Sequence, residues 1–216
     1  MTYRLYDDMI SGNGFKVRLL LAQLELPYSY VALDIREGET RQPGFLAINP
    51  NGRIPTLELP DGRFLAESNA ILFYLAQGTP FWPTDRYAQA QTLQWLFFEQ
   101  YSHEPYIATL RAWLSEGFGG KTPEEQAEIP RRREKGYQAL AVMEEHLQSH
   151  SFFVEERYGL ADIALYAYTH VAGDGGFDLA PYPALGGWLA RIAAQPRHIP
   201  ITQQPPVTQQ PQEGAA

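Results

Sequence analysis

The chain has 216 residues, with 44% hydrophobic, 13% aromatic and 19% charged side chains. That composition excludes a disordered chain and leaves room for one large core or two small ones. Its 17 basic and 25 acidic residues leave a net charge of −8, a poor footprint for nucleic acid, and the absence of cysteine excludes disulfides, thiolate metal sites and a cysteine nucleophile.

Residues 3–6 (Tyr-Arg-Leu-Tyr) read as a short strand, and Val17, Leu20, Leu21 and Leu24 fall at the i, i+3, i+4, i+7 positions of a helix. Tyr28–Leu33, after Pro27, is β-branched and aromatic enough for a second strand, so the chain opens on a βαβ unit with parallel pairing. The next stretch reads as loop up to Pro55. Thr56–Leu59 and Arg63–Leu65 then form two strands around a Pro60-Asp61-Gly62 turn, and a helix starts near Ser68 with Ile71, Tyr74 and Leu75 on one face. This order completes an α/β layer over residues 1–78.

Residues 79–85 are rich in proline and read as a linker, after which strand signals give way to helices at about 86–117, 123–149, 160–171 and 183–195. Residues 86–199 are therefore expected to be an all-helical bundle. Residues 200–216 repeat Thr-Gln-Gln-Pro at 202–205 and 208–211 and read as a low-complexity tail, or as an extended arm lying along a groove. The N-terminus has no basic stretch followed by an apolar run, and no apolar run approaches the roughly 18 residues of a membrane helix. A cytoplasmic protein without a membrane partner is expected.

Several motifs have bland readings. Gly12-Asn-Gly14 between strand and helix imitates a dinucleotide fingerprint, with Asp34 near the expected acidic position, but Val17 stands at the third glycine and the layer ends too soon for a second half. Arg131–Arg133 reads as a solvated helix face. His146 and His150 have i, i+4 spacing but no Glu in an HExxH arrangement and no third ligand, so no metal is expected.

The informative cluster is Ser11, Arg53-Ile54-Pro55 and Glu67-Ser68. Ser11 lies between strand and helix, where unpaired N–H groups and the positive dipole end favour an anion, though it also suits an ordinary N-cap. Pro55, ahead of a strand, leaves neighbouring backbone groups available to a peptide-like ligand, the more so if Ile54–Pro55 is cis. Ser68 is a natural N-cap. The same helix start suits a ligand carboxylate at Ser68 and a ligand ammonium at Glu67, the head of an α-amino acid.

Over residues 3–195 the chain resembles the cytosolic glutathione transferase family. The resemblance rests on Asn49-Pro-Asn-Gly-Arg-Ile-Pro-Thr-Leu57, on Glu67-Ser-Asn-Ala-Ile71 and on Leu160-Ala-Asp-Ile163, where Gly159 replaces the usual capping Ser or Thr and leaves only the Asp162 half of a capping box. It implies a thioredoxin-like βαβ-ββα domain, a helical domain and a homodimer. It further implies glutathione as co-substrate, with Ser11 as the thiol donor of serine-type classes, Ile54 and cis-Pro55 at the cysteinyl part, Arg53 at the glycine carboxylate and Glu67 with Ser68 at the γ-glutamyl head. Asn13 resembles the Ser/Thr-plus-Asn sites of Nu-type relatives that favour disulfide reduction, so Ser11 and Asn13 both stand as catalytic candidates. Family members place the electrophile near the first helix loop and fourth helix, which implicates Met9, Phe15, His103, Tyr106 and Trp113. The activity implied is transfer of glutathione to a hydrophobic electrophile. Alternatives are a glutathione-dependent disulfide or peroxide reductase and a non-catalytic glutathione-binding scaffold.

Overall fold

The computed structural model describes residues 2–205. They form two compact units, one running to Ile71 and including the residues from Pro200, the other running from Leu72 to Ile199. The division falls inside a helix, ahead of the 79–85 segment, and the start of the Pro/Gln-rich tail belongs with the first unit. Residues 206–216 lie outside the described residues.

The first unit contains β1 (Tyr3–Asp7), α1 (Gly12–Gln23), β2 (Tyr28–Ala32), α2 (Pro43–Ile48), β3 (Thr56–Glu58), β4 (Phe64–Ala66) and the start of α3 (Ser68–Ala76). The strands form one sheet in the order β2-β1-β3-β4. β1 and β2 are parallel, with Tyr3 opposite Tyr28, as a crossover through α1 requires. β3 runs antiparallel to β1 and β4. Gly62, at φ 85°, supplies the left-handed residue of the β3–β4 turn.

Leu5 and Leu57, paired across β1 and β3, are fully buried. So are Phe15, Val17, Leu19, Leu20 and Leu21 of α1, each worth about 1.5–3 kcal/mol of burial. Lys16 and Arg18 are buried between them, so α1 is enclosed on every side rather than along the single stripe its spacing predicts. Two short helical pieces, Glu39–Arg41 and α2, occupy the stretch read as loop. α2 has six residues and one buried side chain, Phe45, too little to display a period.

The second unit contains α4 (Arg86–Phe98), α5 (Glu104–Leu114), α6 (Pro123–Leu147), α7 (Leu160–Thr169) and α8 (Pro183–Ala193). α4 and α5 are joined by a π-helical turn, Glu99–His103, in which Glu104 N donates to Glu99 O. Pro105, two residues further on, has no N–H to give, and the widened turn ahead of it absorbs the missing bond. α6 begins with a reciprocal cap between Thr122 and Glu125 and runs through Pro130. Only Arg131 of the arginine run fits the solvated-face reading. Arg132 and Arg133 are half-buried, donating to Pro105 O at 3.0 Å and to the Gly176 carbonyl. His146 and His150 stack with centroids 4.4 Å apart, and His150 pairs with Glu156. No helix among the described residues is long and apolar enough to cross a membrane.

Candidate functional site

Ser11 is the N-cap of α1, extended at φ −70°, ψ 121°, and its Oγ accepts the Gly14 N–H at 3.0 Å. The bland reading of Ser11 therefore holds, and it leaves the functional one open, because an accepting hydroxyl keeps its own proton to donate. No acidic residue stands in the first turn of α1.

Two residues on, Asn13 gathers two donors. Its Oδ1 accepts from Lys16 Nζ at 2.8 Å and from Ser68 Oγ at 3.1 Å, and Lys16 Nζ lies 3.4 Å from Ser68 Oγ. Residues 55 positions apart are thus tied at the heads of α1 and α3. The Ser68 hydroxyl donates to Asn13, so Ser68 is left to meet a ligand carboxylate mainly through its backbone N–H.

Behind this cluster Arg18 and Asp7 form an ion pair of 3.1 Å with no exposed side-chain surface. Arg18 Nη2 donates to Met9 O at 3.0 Å and to Ser11 O at 3.4 Å, and Nη1 donates to Ile201 O at 3.0 Å. One guanidinium therefore holds the loop that carries Ser11 and the start of the C-terminal segment. Burial pushes the Asp7 carboxyl up to about 7, outweighing the attraction of Arg18. Gly14 makes room for this pair, since a Cβ there would lie 1.7 Å from Asp7 Oδ1.

Ile54–Pro55 is cis. The loop ahead of it is braced by Asn49 Nδ2, which donates to Arg53 O at 2.7 Å and to Thr56 Oγ1 at 3.0 Å. Gly52 turns the loop at φ 60°, where a Cβ would stand 2.9 Å from Thr40 O. Pro55 is buried, Ile54 half-buried, and Arg53 exposed.

At the β4–α3 junction the capping position belongs to Glu67, whose carbonyl accepts the Ile71 N–H at 2.9 Å. Ser68 is the first helical residue and is buried, so the reading of Ser68 as N-cap is corrected by one position. Glu67 is exposed and sits in the left-handed region at φ 68°, a conformation that costs a non-glycine residue about 1–3 kcal/mol and clusters at ligand clamps.

Met9, Tyr106 and Trp113 are half-buried. Phe15 and His103 have no exposed surface. Phe15 is core, and His103 Nε2 bonds Thr169 Oγ1 at 2.9 Å, so neither presents a face to a ligand.

In the second unit Asp162, fully buried, accepts from Gly159 N at 3.0 Å, Phe153 N at 3.2 Å and Trp188 Nε1 at 2.8 Å. Burial pushes its carboxyl up to about 7 even against those three donors. Gly159, lacking a side chain, supplies no cap of its own.

Residues 1–77 match the family model for the glutathione S-transferase N-terminal domain, and residues 93–196 match that for its C-terminal domain. Over 192 residues the chain is 32% identical to the disulfide-bond oxidoreductase YfcG of Escherichia coli K12, covering 85% of this chain and 87% of that protein. The chain belongs to the glutathione S-transferase family. Among solved structures of the family, a glutathione S-transferase from Pseudomonas fluorescens Pf-5 is 50% identical, with a TM-score of 0.89 over 94% of this chain and 100% of its own. A glutathione transferase from Burkholderia graminis, 27% identical with a TM-score of 0.79 over 91% and 85% of the two chains, holds two glutathione molecules per subunit. The protein URE2 of Meyerozyma guilliermondii is 38% identical over 114 residues, 49% of this chain. That match spans only 38% of the URE2 length.

The resemblance read from three sequence motifs is thus a family membership. Lys16 and Arg18 escaped the sequence reading. The signal available was two cations inside a helix flanked on both sides by Phe15, Val17 and Leu19–Leu21, with no polar face to carry them.

Proposed function

We propose that this chain binds glutathione at the heads of α1 and α3 and ionises its thiol for attack on an electrophile. The observation that supports this reading is the Asn13–Lys16–Ser68 cluster beside Ser11, at a helix whose first turn holds no acid. A thiol of ordinary pKa about 8.5 is the nucleophile only as thiolate. Donation from Ser11 and Asn13, with the α1 dipole, is worth about two units, since charge-assisted hydrogen bonds contribute roughly 1.5–3 kcal/mol. Arg53 is assigned to the glycine carboxylate, Ile54 with Pro55 to the cysteinyl backbone, and Glu67 with Ser68 to the γ-glutamyl head.

The first reading of the reaction is transfer of glutathione to a small hydrophobic electrophile. A second, disulfide reduction, is favoured by the near full-length likeness to YfcG and by the Asn13 cluster. In it the thiolate of one glutathione attacks a substrate disulfide sulfur, releasing a substrate thiolate. A second glutathione then attacks the mixed disulfide, leaving oxidised glutathione and the second substrate thiol. The chain has no cysteine, and this route needs none. Turnover of an aryl halide against turnover of hydroxyethyl disulfide separates the two, and retained binding without either overturns both in favour of a scaffold.

The subunit is proposed to act as a homodimer. Leu93, Phe97 and Tyr101, four residues apart on α4 and the turn after it, are 37%, 70% and 84% exposed, an apolar row of the kind a partner covers. Sedimentation should give twice the 24.4 kDa chain mass. A single-chain mass contradicts it.

A further inference from the structure

Lys16 has no exposed surface, although an ammonium is among the costliest groups to bury unless hydrogen bonds replace its hydration. Its Nζ donates to Asn13 Oδ1 and toward Ser68 Oγ, at 2.8 and 3.4 Å. An ammonium has donors only, so it faces the oxygen of a carboxamide and never its NH2. Lys16 therefore decides which way Asn13 is turned. The Ser68 hydroxyl donates to the same Oδ1 at 3.1 Å, and with both donors on the oxygen the Nδ2 hydrogens point away from Lys16 and Ser68. A cation on the carbonyl end of an amide also strengthens donation from its N–H end, as hydrogen bonds in a chain polarise one another.

We propose that Lys16 is a positioning residue for the glutathione thiol: it holds the Asn13 carboxamide with its N–H groups outward and sharpens their donation to a thiolate. The proposal rests on the heads of α1 and α3 being the glutathione site. It also goes beyond that reading, because it assigns a function to a buried cation that a packing role alone would fill better with an apolar side chain.

The test is a double-mutant cycle of wild type, Lys16→Met, Asn13→Ala and the pair. Glutathione is titrated into each protein, and thiolate absorbance is followed across pH, with thermal melting as the check of folding. Lys16→Met is expected to raise the pKa of the bound thiol by about one unit, a tenfold fall in its ionisation constant. In the Asn13→Ala background the same substitution should change that constant less than about twofold, because a residue acting through Asn13 loses its effect with it. An unchanged thiol pKa in Lys16→Met overturns the proposal. So does a full tenfold effect in the Asn13→Ala background, which would make Lys16 a direct electrostatic group. Lys16→Ala, which admits water in place of a methionine side chain, is read by the same criteria where Lys16→Met does not fold. A wild type that neither binds glutathione nor shifts its thiol brings down the site reading and this proposal together, whereas a shifted wild-type thiol indifferent to Lys16 brings down the proposal alone.

Discussion

At the start of α7 the helix's own first turn supplies a carboxylate, and the first turn of α1 holds none. Both helices begin with N–H groups that their own backbones cannot pair and with a positive dipole end. At α7 Asp162 reaches back to Gly159 N and also takes Phe153 N and Trp188 Nε1, closing that end inside the core. At α1 Ser11 caps Gly14 N, no acid stands in the first turn, and the charge that follows is the buried cation Lys16. One helix start is closed by its own acid, and under the proposed function the other receives the glutathione thiol.

The largest effect that tests this contrast is at the closed end. Asp162→Ala strands three donors, two of them backbone, and is expected to destabilise the protein by about 3–5 kcal/mol in denaturant unfolding. A loss below about 1 kcal/mol would mean that α7 does not depend on that carboxylate.

The next effect is on pH. Asp7 and Asp162 both have folded pKa values near 7, above their ordinary value of 3.8. Between those values the folded protein holds protons that the unfolded chain has released, so their contribution favours the folded state at low pH and is lost as pH rises through about 7. The melting temperature should be higher near pH 5 than near pH 8, and Asp162→Asn should flatten that difference. Burial holds the His170 ring down at about 4 and works in the opposite sense, so the variant decides: a pH profile unchanged by Asp162→Asn would contradict the assignment.

Smaller still is Ser11→Ala, expected to cost about 1 kcal/mol of stability through the lost cap. Under the proposed function it keeps glutathione affinity and loses turnover, so unchanged turnover would leave Asn13 as the principal donor. The smallest effect is Gly159→Ser, which restores the missing half of the α7 cap. The backbone there, at φ −155°, accepts a side chain, but the new Cβ stands 3.3 Å from Phe81 O. The gain and the crowding should nearly cancel, leaving a change within about 0.5 kcal/mol.

The contrast was only half legible in the sequence. The absence of a hydroxyl at Gly159 and the acid at Asp162 can be read from the letters, because a capping box is local. The βαβ unit, the β3–β4 hairpin and the main helices could be read for the same reason: Val17, Leu20 and Leu21, or Leu185, Trp188 and Ile192, carry their period within one segment, whereas the β1–β3 pairing that sets the strand order joins distant residues. The Asn13–Lys16–Ser68 cluster could not, since it joins residues 55 apart and nothing local marks Lys16 as buried. The π-helical turn escaped because one widened turn barely disturbs a periodic pattern, although Pro105 signals that some N–H must be done without. α2 escaped because six residues with one buried side chain carry no period. The displacement of the α3 cap from Ser68 to Glu67 depends on a left-handed backbone at a glutamate, which residue preferences argue against.

The most direct test of the glutathione site proposed at the α1 start is the ionisation of glutathione on the wild-type protein, followed by thiolate absorbance across pH with Ser11→Ala and Asn13→Ala alongside. The account predicts a bound thiol ionising about two units below its ordinary value of about 8.5, with part of that shift lost in each variant. Binding with no shift, or a shift that survives both substitutions, would contradict it.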